Sequence, residues 1–239
     1  MYTINSDGLN FDILNDEIRK STANCEIIEC LGQRFIAAGS TGKIITINGT
    51  PGNALGAYLN GTKIVVKGNA QDAVGDTMND GEIIIHGNIG DAAGYAMRGG
   101  EIFVKGNAGY RAGIHMKAYE QKIPVLVIGG AAGSFLGEYQ AGGIIIVLGL
   151  NTNKEIVGNF PCTGMHGGIM LLRSDCKNIL FPKNVNAYTL QKKQLKTFLP
   201  HIDKFCSLFG YEKEKILDSP FTLVTPDTKN PYKQMYVMN

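Results

Sequence analysis

Tryptophan is absent from this chain of 239 residues, and charged residues make up only 18% of it. The 23 Lys and Arg nearly cancel the 21 Asp and Glu, leaving a net charge of +2. Without a basic excess there is little to hold a phosphate backbone or an anionic membrane, so neither nucleic acid nor membrane is an expected partner. Cysteine is sparse and scattered, at Cys25, Cys30, Cys162, Cys176 and Cys206. The odd count and irregular spacing speak against a disulfide framework. No Cys-x-x-Cys pair occurs, so neither an iron–sulfur cluster nor structural zinc is expected in this chain. Five reduced and mostly buried thiols suit a cytoplasmic location. Long apolar runs are also missing. The longest, residues 144–150, is far too short to span a bilayer. The first ten residues are polar and lack a signal-peptide core.

What the chain has is glycine, 31 residues of it, placed with a period. Gly49, Gly68, Gly87 and Gly106 are each 19 residues apart, and Gly129 and Gly149 follow after 23 and 20. Each closes a short strand-like run. The runs are 43–48, 63–67, 82–86, 101–105, 124–128 and 144–148, with a seventh at 169–172. Four residues before each glycine stand Ile45, Ile64, Ile83, Ile102, Val125 and Ile145. Two before stand Ile47, Val66, Ile85, Val104, Val127 and Val147. Residues i and i+2 of a strand share a face, so both columns are expected to point into a common interior and stack from turn to turn. Nineteen extended residues measure roughly 60 Å, a plausible perimeter for one closed turn.

The expected fold is therefore all-β: a single-stranded right-handed parallel β-helix of about seven turns of ~19 residues. It is expected to occupy residues 1–178, with an N-terminal lead-in, followed by a helical and extended tail over 179–239. Leucine-rich, hexapeptide and calcium-nonapeptide repeats lack their signatures here. After the strands comes a second glycine pattern, as in Gly49/Gly52/Gly56, Gly87/Gly90/Gly94, Gly106/Gly109/Gly113 and Gly130/Gly133/Gly137, with Gln71 in the middle place between Gly68 and Gly75. Corners that recur once per turn account for it, since glycine permits positive φ and close backbone approach.

In the tail, Leu190, Leu195, Phe198, Leu199, Ile202, Phe205, Leu208 and Phe209 form an apolar stripe at helical spacing over 184–210. Pro200 should divide it. A second short helix is expected at 212–217, and residues 221–237, with Tyr232 and Tyr236, read as extended. The outward-facing strand positions Thr46, Val65, Ile84, Phe103, Leu126 and Ile146 need a cover, from the tail or from a partner.

Several motifs carry less than they suggest. Residues 125–133 read like a strand entering a dinucleotide loop, but another turn of the repeat follows where a helix is required. Asp72, Asp76, Asp80 and Asp91 read as solvated corner residues. His86, His115, His166 and His201 show no metal-ligand spacing, and Ser134 lacks the strand–helix context of a nucleophile elbow. No catalytic, cofactor-binding or metal-binding residues are expected. The candidate functional feature is the break in rhythm between Gly106 and Gly129. Extra residues must leave a solenoid as a loop, here near 115–122. Tyr110, Arg111, His115, Met116, Lys117 and Tyr119 are the candidate partner interface, because aromatic, methionine and arginine side chains are types that anchor interfaces.

The repeated glycine pattern resembles the GXGXG domain family. Several blocks look like its glutamate synthase branch: Gly49-Thr-Pro-Gly-Asn53, Gly68-Asn-Ala-Gln-Asp72, Gly94-Tyr-Ala-Met-Arg-Gly-Gly100, Gly109-Tyr-Arg-Ala-Gly-Ile-His-Met-Lys117, Gly137-Glu-Tyr-Gln-Ala-Gly-Gly143 and Gly164-Met-His-Gly-Gly168. Gln71 and Gln140 depart from it, replacing a glycine and a common methionine. The tail, 221–232, resembles the stand-alone form of this subunit. The resemblance implies a structural subunit, not catalytic by itself, of a complex that makes glutamate from glutamine, 2-oxoglutarate and a reductant. Amidotransferase and FMN/iron–sulfur subunits would be its partners, with FMN and the clusters held there. The family's amidotransferase nucleophile is an N-terminal cysteine, whereas here Tyr2 follows Met1. A scaffold role in another redox complex such as formylmethanofuran dehydrogenase, or an autonomous ligand-binding β-helix, are the alternatives. The isolated chain is also open to homo-oligomerisation.

Overall fold

A computed structural model describes residues 1–150 and 152–227. Among the described residues eleven strands form one sheet in the order β1-β2-β3-β4-β5-β6-β7-β8-β9-β11-β10. The first nine are β1 (Tyr2–Asn5), β2 (Cys25–Leu31), β3 (Ile44–Thr50), β4 (Asn60–Val66), β5 (Asp80–Ile85), β6 (Glu101–Val104), β7 (Val125–Ile128), β8 (Ala141–Val147) and β9 (Gly167–Leu172). They pair in parallel, each with the next in sequence. This is a parallel β-solenoid of about eight turns, one more than the glycine spacing predicts.

The inward columns are those of the sequence with one correction. Ile45, Ile64, Ile83, Ile102, Leu126, Ile145 and Met170 form the first, and Ile47, Val66, Ile85, Val104, Ile128, Val147 and Leu172 the second; all are buried in one interior cluster. In β7 the predicted inward pair Val125 and Val127 faces outward, and Leu126, predicted outward, faces in. The two adjacent glycines explain the error. Gly130, not Gly129, continues the column, and its amide bonds to Gly106 O at 2.8 Å. Leu126 lies 24 residues after its partner Ile102, whereas Ile102 lies 19 after Ile83, so the insertion is five residues rather than four. A slip of one residue moves every side chain to the opposite face. A second insertion, of six residues, follows Gly149, since Met170 pairs with Ile145 at a separation of 25.

Both ends of the stack are closed. At the start, α1 (Phe11–Lys20) buries Leu14 and Ile18 against the first turn. Lys43 Nζ donates to Ile18 O and, at 2.6 Å, to Ser21 O. A cation on the last carbonyls of a helix is favoured by their partial negative charge. At the far end, Ile179, Phe181 and Val185 pack against the interior.

The tail is only partly helical. Residues expected to begin a helix at 184 instead form β10 (Val185–Leu190), which pairs antiparallel with β11 (Phe221–Pro226). β11 in turn pairs antiparallel with β9. Between them lie a 3-10 turn at Lys192–Thr197, α2 (Leu199–Phe209) and α3 (Lys213–Leu217). Pro200 stands in the first turn of α2, and Gly210 ends the helix in the left-handed conformation, φ 74°. Leu195, Phe198, Ile202, Phe205 and Phe221 cover Phe103, Val127, Ile146 and Leu171 on the outer face. So the tail itself is the cover that the apolar outer stripe requires. Tyr232 and Tyr236 lie outside the described residues.

Candidate functional site

Each turn has one corner where three alternate residues take left-handed backbone. In the turn after β4 they are Ala73 (φ 57°), Gly75 (φ 68°) and Thr77 (φ 50°). The same triplet recurs as 35/37/39, 54/56/58, 92/94/96, 111/113/115, 135/137/139 and 160/162/164. Left-handed backbone costs a non-glycine residue about 1–2 kcal/mol. The conformation alternates the amides, so that Ala73 N bonds forward to Asp91 O, Gly75 N back to Leu55 O, and Thr77 N forward to Tyr95 O, each at 2.8 Å. The corner therefore makes ladder bonds as a strand does, and these offset the strain. The middle residue faces the interior, and the flanking two turn away from it, most of them, though not Ala54, reaching solvent.

Those flanking columns carry the exposed decoration. In one, the Arg111 guanidinium lies over the Phe135 ring, 5.1 Å from its centroid, and Phe135 stacks on Phe160 at 5.3 Å. Arg111 Nε also donates to Glu138 Oε2 at 3.1 Å. In the other, His115 stacks on Tyr139 at 5.1 Å, 10° from parallel, and meets Tyr95 edge-on at 5.9 Å. Further along the same edge Tyr58 is 59% and Phe160 62% exposed. The result is two parallel tracks of aromatic and cationic side chains on one corner of the solenoid. Such groups combine apolar area with a polar handle and dominate recognition surfaces.

Five of the six predicted interface residues fall on this edge or the loop beside it. Arg111 and His115 lie in the tracks, and Tyr110, Lys117 and Tyr119 are exposed nearby. Met116 does not belong there. It is 0% exposed, in an interior column with Leu59, Met78, Met97 and Met165. The reason is register: Lys117 N still bonds to Met97 O at 3.0 Å, so the insertion begins only after it. The inserted residues fold back, with Lys122 Nζ paired to Asp80 Oδ2 at 3.0 Å. Tyr95, Phe135, Tyr139 and Phe160 were missed. They lie two residues from the middle corner position, or one beyond it in the case of Tyr95, so extending the columns past the glycines would have revealed them.

The corner aspartates are not simply solvated. Asp72 Oδ1 accepts Asp91 N, and Asp91 Oδ1 accepts Tyr110 N, both at 2.8 Å. Asn69, Asn88 and Asn107 bind the next turn in the same way, at 2.7–2.8 Å. On the covered face, Lys204 of α2 sits between Glu82, at 2.7 Å, and Glu101. His201 Nδ1 lies 3.3 Å from Glu101 Oε1. The hydrogen bond from His201, with that from Lys204, holds the Glu101 carboxyl down to about 2. These groups fasten α2 to the sheet beside a cleft of about 370 Å³.

All five cysteines are free and buried. Burial pushes the Cys30 thiol up to about 11 and Cys162 up to about 12, far from thiolate reactivity. Among the described residues no group of three or more His, Cys, Asp or Glu is placed to hold a metal ion, and no helix is long and apolar enough to cross a membrane.

The described residues thus form a capped parallel β-solenoid with one corner decorated by aromatic and cationic side chains. More narrowly, the chain belongs to the GXGXG motif family, whose model matches residues 9–227. That family is associated with glutamate synthase, and its domain is typical of multi-subunit enzyme complexes. The chain is also 44% identical over 215 residues to an uncharacterized protein of Methanocaldococcus jannaschii, covering 86% of this chain and 82% of that protein.

Proposed function

We propose that this chain is the scaffold subunit of a multi-subunit glutamate synthase, which converts glutamine, 2-oxoglutarate and reductant to glutamate, and that it supplies no catalytic group itself. The observation that carries the reading is the family match over residues 9–227, in a family associated with that enzyme. The glutamate-synthase-like blocks such as 109–117 and 164–168 agree with it. Amidotransferase chemistry, FMN and iron–sulfur clusters are then the work of partner subunits in the cytoplasm.

The two aromatic tracks are the docking edge in this reading. Tyr110 is 55% and Tyr119 54% exposed, and Arg111 is held over the Phe135 ring. Exposed aromatics fixed by backbone and stacking lose little side-chain entropy on binding. The test is affinity purification of the chain from native extract, followed by identification of the co-purifying subunits. Recovery of an amidotransferase and a flavin/iron–sulfur subunit supports the proposal. Recovery of subunits of a different redox complex refutes it. Alanine at Arg111, Tyr110 and Tyr119 together should leave the circular dichroism spectrum unchanged and reduce recovery of the flavin-bearing subunit at least tenfold.

A further inference from the structure

The sheet ends on a strand with an open edge. β10 is hydrogen-bonded to β11 on one side, and no strand is assigned to its other side among the described residues. Its pairing with β11 runs through six consecutive residues without a bulge. Exposed edges are commonly blocked by charge, proline or a bulge. β10, reading Val185-Asn-Ala-Tyr-Thr-Leu190, contains no charge and no proline. Asn186, Ala187, Tyr188 and Thr189 are all exposed.

The direction of its free backbone groups follows from one bond. Asp227 N donates to Asn184 O at 2.8 Å, so Asn184 points its amide and carbonyl toward β11. Successive residues of an antiparallel ladder point to opposite sides. Asn186, Tyr188 and Leu190 therefore also bond to β11, while Val185, Ala187 and Thr189 direct theirs outward; Val185 N already donates to Pro182 O at 3.3 Å, so the outward groups open to a partner are Val185 O and those of Ala187 and Thr189. Two antiparallel copies related by a two-fold axis must place one residue opposite itself. With Ala187 on the axis, Ala187 exchanges both bonds with its equivalent, and Val185 faces Thr189 of the other copy. The smallest side chain of the strand then stands at the symmetry point. Lys183 falls opposite Gln191 and Lys192 opposite Pro182, so no two like charges face each other.

We propose that β10 is a self-pairing edge, and that a second copy of this chain docks on it antiparallel, with Ala187 on the two-fold axis. The inference is independent of which complex the chain serves. Pairing of six residues extends only about 20 Å. It covers on the order of 600 Å², well short of the 1,200–2,000 Å² of a stable interface. The dimer is accordingly a weak one, reversible at micromolar concentrations or above.

Sedimentation equilibrium of the full chain tests this, with a site-directed cross-link as the second arm. The wild type should show a reversible monomer–dimer equilibrium, and Ala187→Lys, which sets two cations face to face, should weaken it at least tenfold while circular dichroism stays unchanged. Residues opposed across the axis in a bonded pair have Cα atoms about 5.5 Å apart, within disulfide reach. Ala187→Cys should therefore form a covalent dimer on mild oxidation, and Thr189→Cys should not. The native cysteines are buried and leave the readout clean. A wild type that stays monomeric at millimolar concentration overturns the proposal. So does a dimer that survives Ala187→Lys without cross-linking through Ala187→Cys. Dimerisation that appears only after removal of residues 228–239 also overturns it, because the chain's own end then occupies the edge.

Discussion

Replacing Gly75 with alanine separates two reasons why a corner would require glycine. The left-handed backbone is not the decisive one, because Ala73 and Thr77 adopt it on either side, at φ 57° and 50°. What distinguishes Gly75 is direction. A Cβ built there would lie 2.5 Å from Ile102 Cδ1 and 3.5 Å from Ile83 Cδ1, in the path of the inward column. Left-handed strain in alanine adds about 1–2 kcal/mol, and overpacking the interior adds about 1–3 kcal/mol. Less the roughly 0.5–1 kcal/mol of chain entropy that alanine saves, Gly75→Ala should destabilise by roughly 1–4.5 kcal/mol. The mirror experiment is Ala73→Gly. It removes the same strain from an outward-facing site but adds about 0.5–1 kcal/mol of chain entropy. It should be neutral or stabilising by up to about 1.5 kcal/mol. Equilibrium unfolding in urea measures both, read from the midpoint at unchanged slope. Changes of equal size and opposite sign for the two variants would refute the argument, since they would mean that backbone conformation alone sets the requirement.

Three further outcomes are expected. Phe205→Ala should cost about 3–5 kcal/mol in the cover, because Phe205 is fully buried against Gly129, Phe209 and Tyr211; hydrogen exchange should rise in α2 and stay slow in β3 to β5. Glu101 is held to about 2 from an ordinary 4.5, so its contribution is complete above pH 4.5 and is lost as pH falls from there toward 2; exchange of the α2 amides against pH should show this step, and Glu101→Gln should remove it. Gln140→Met should lower stability by about 1 kcal/mol in thermal unfolding, because Gln140 Nε2 donates to Gly142 O at 3.1 Å and Gly143 O at 3.2 Å inside the stack and methionine removes that donor.

The fold was legible because the solenoid writes its interior into the sequence at a fixed spacing. Ile64, Ile83 and Ile102 stand 19 residues apart in sequence and opposite one another in the sheet. Where the spacing failed, so did the reading. Two adjacent glycines hid which one carried the column, and Val125 was assigned to the wrong face. Met116 illustrates the same limit, for an interface anchor and an interior residue are both methionine, and only register tells them apart. β10 was hidden for another reason. Its partner β11 lies more than thirty residues further on, and the local sequence contains nothing that fixes a distant antiparallel neighbour. The aromatic tracks were present in the periodicity but lay outside the two columns that hydrophobicity marks.

A stack in which each turn touches only its neighbours unfolds from an end, turn by turn. α2 changes that for half of this molecule. Its Phe209 meets His86 just past β5, Lys204 holds both Glu82 and Glu101, and Phe205 rests on Gly129 after β7. Beyond it, the carbonyl of Ile216 in α3 accepts from Arg173 Nε after β9 at 2.8 Å. One strap thus crosses five strands. Under tension applied at the C-terminal side, β5 to β9 should resist as a single block and release together. The turns of β2 to β4, which the strap does not reach, should come away one at a time.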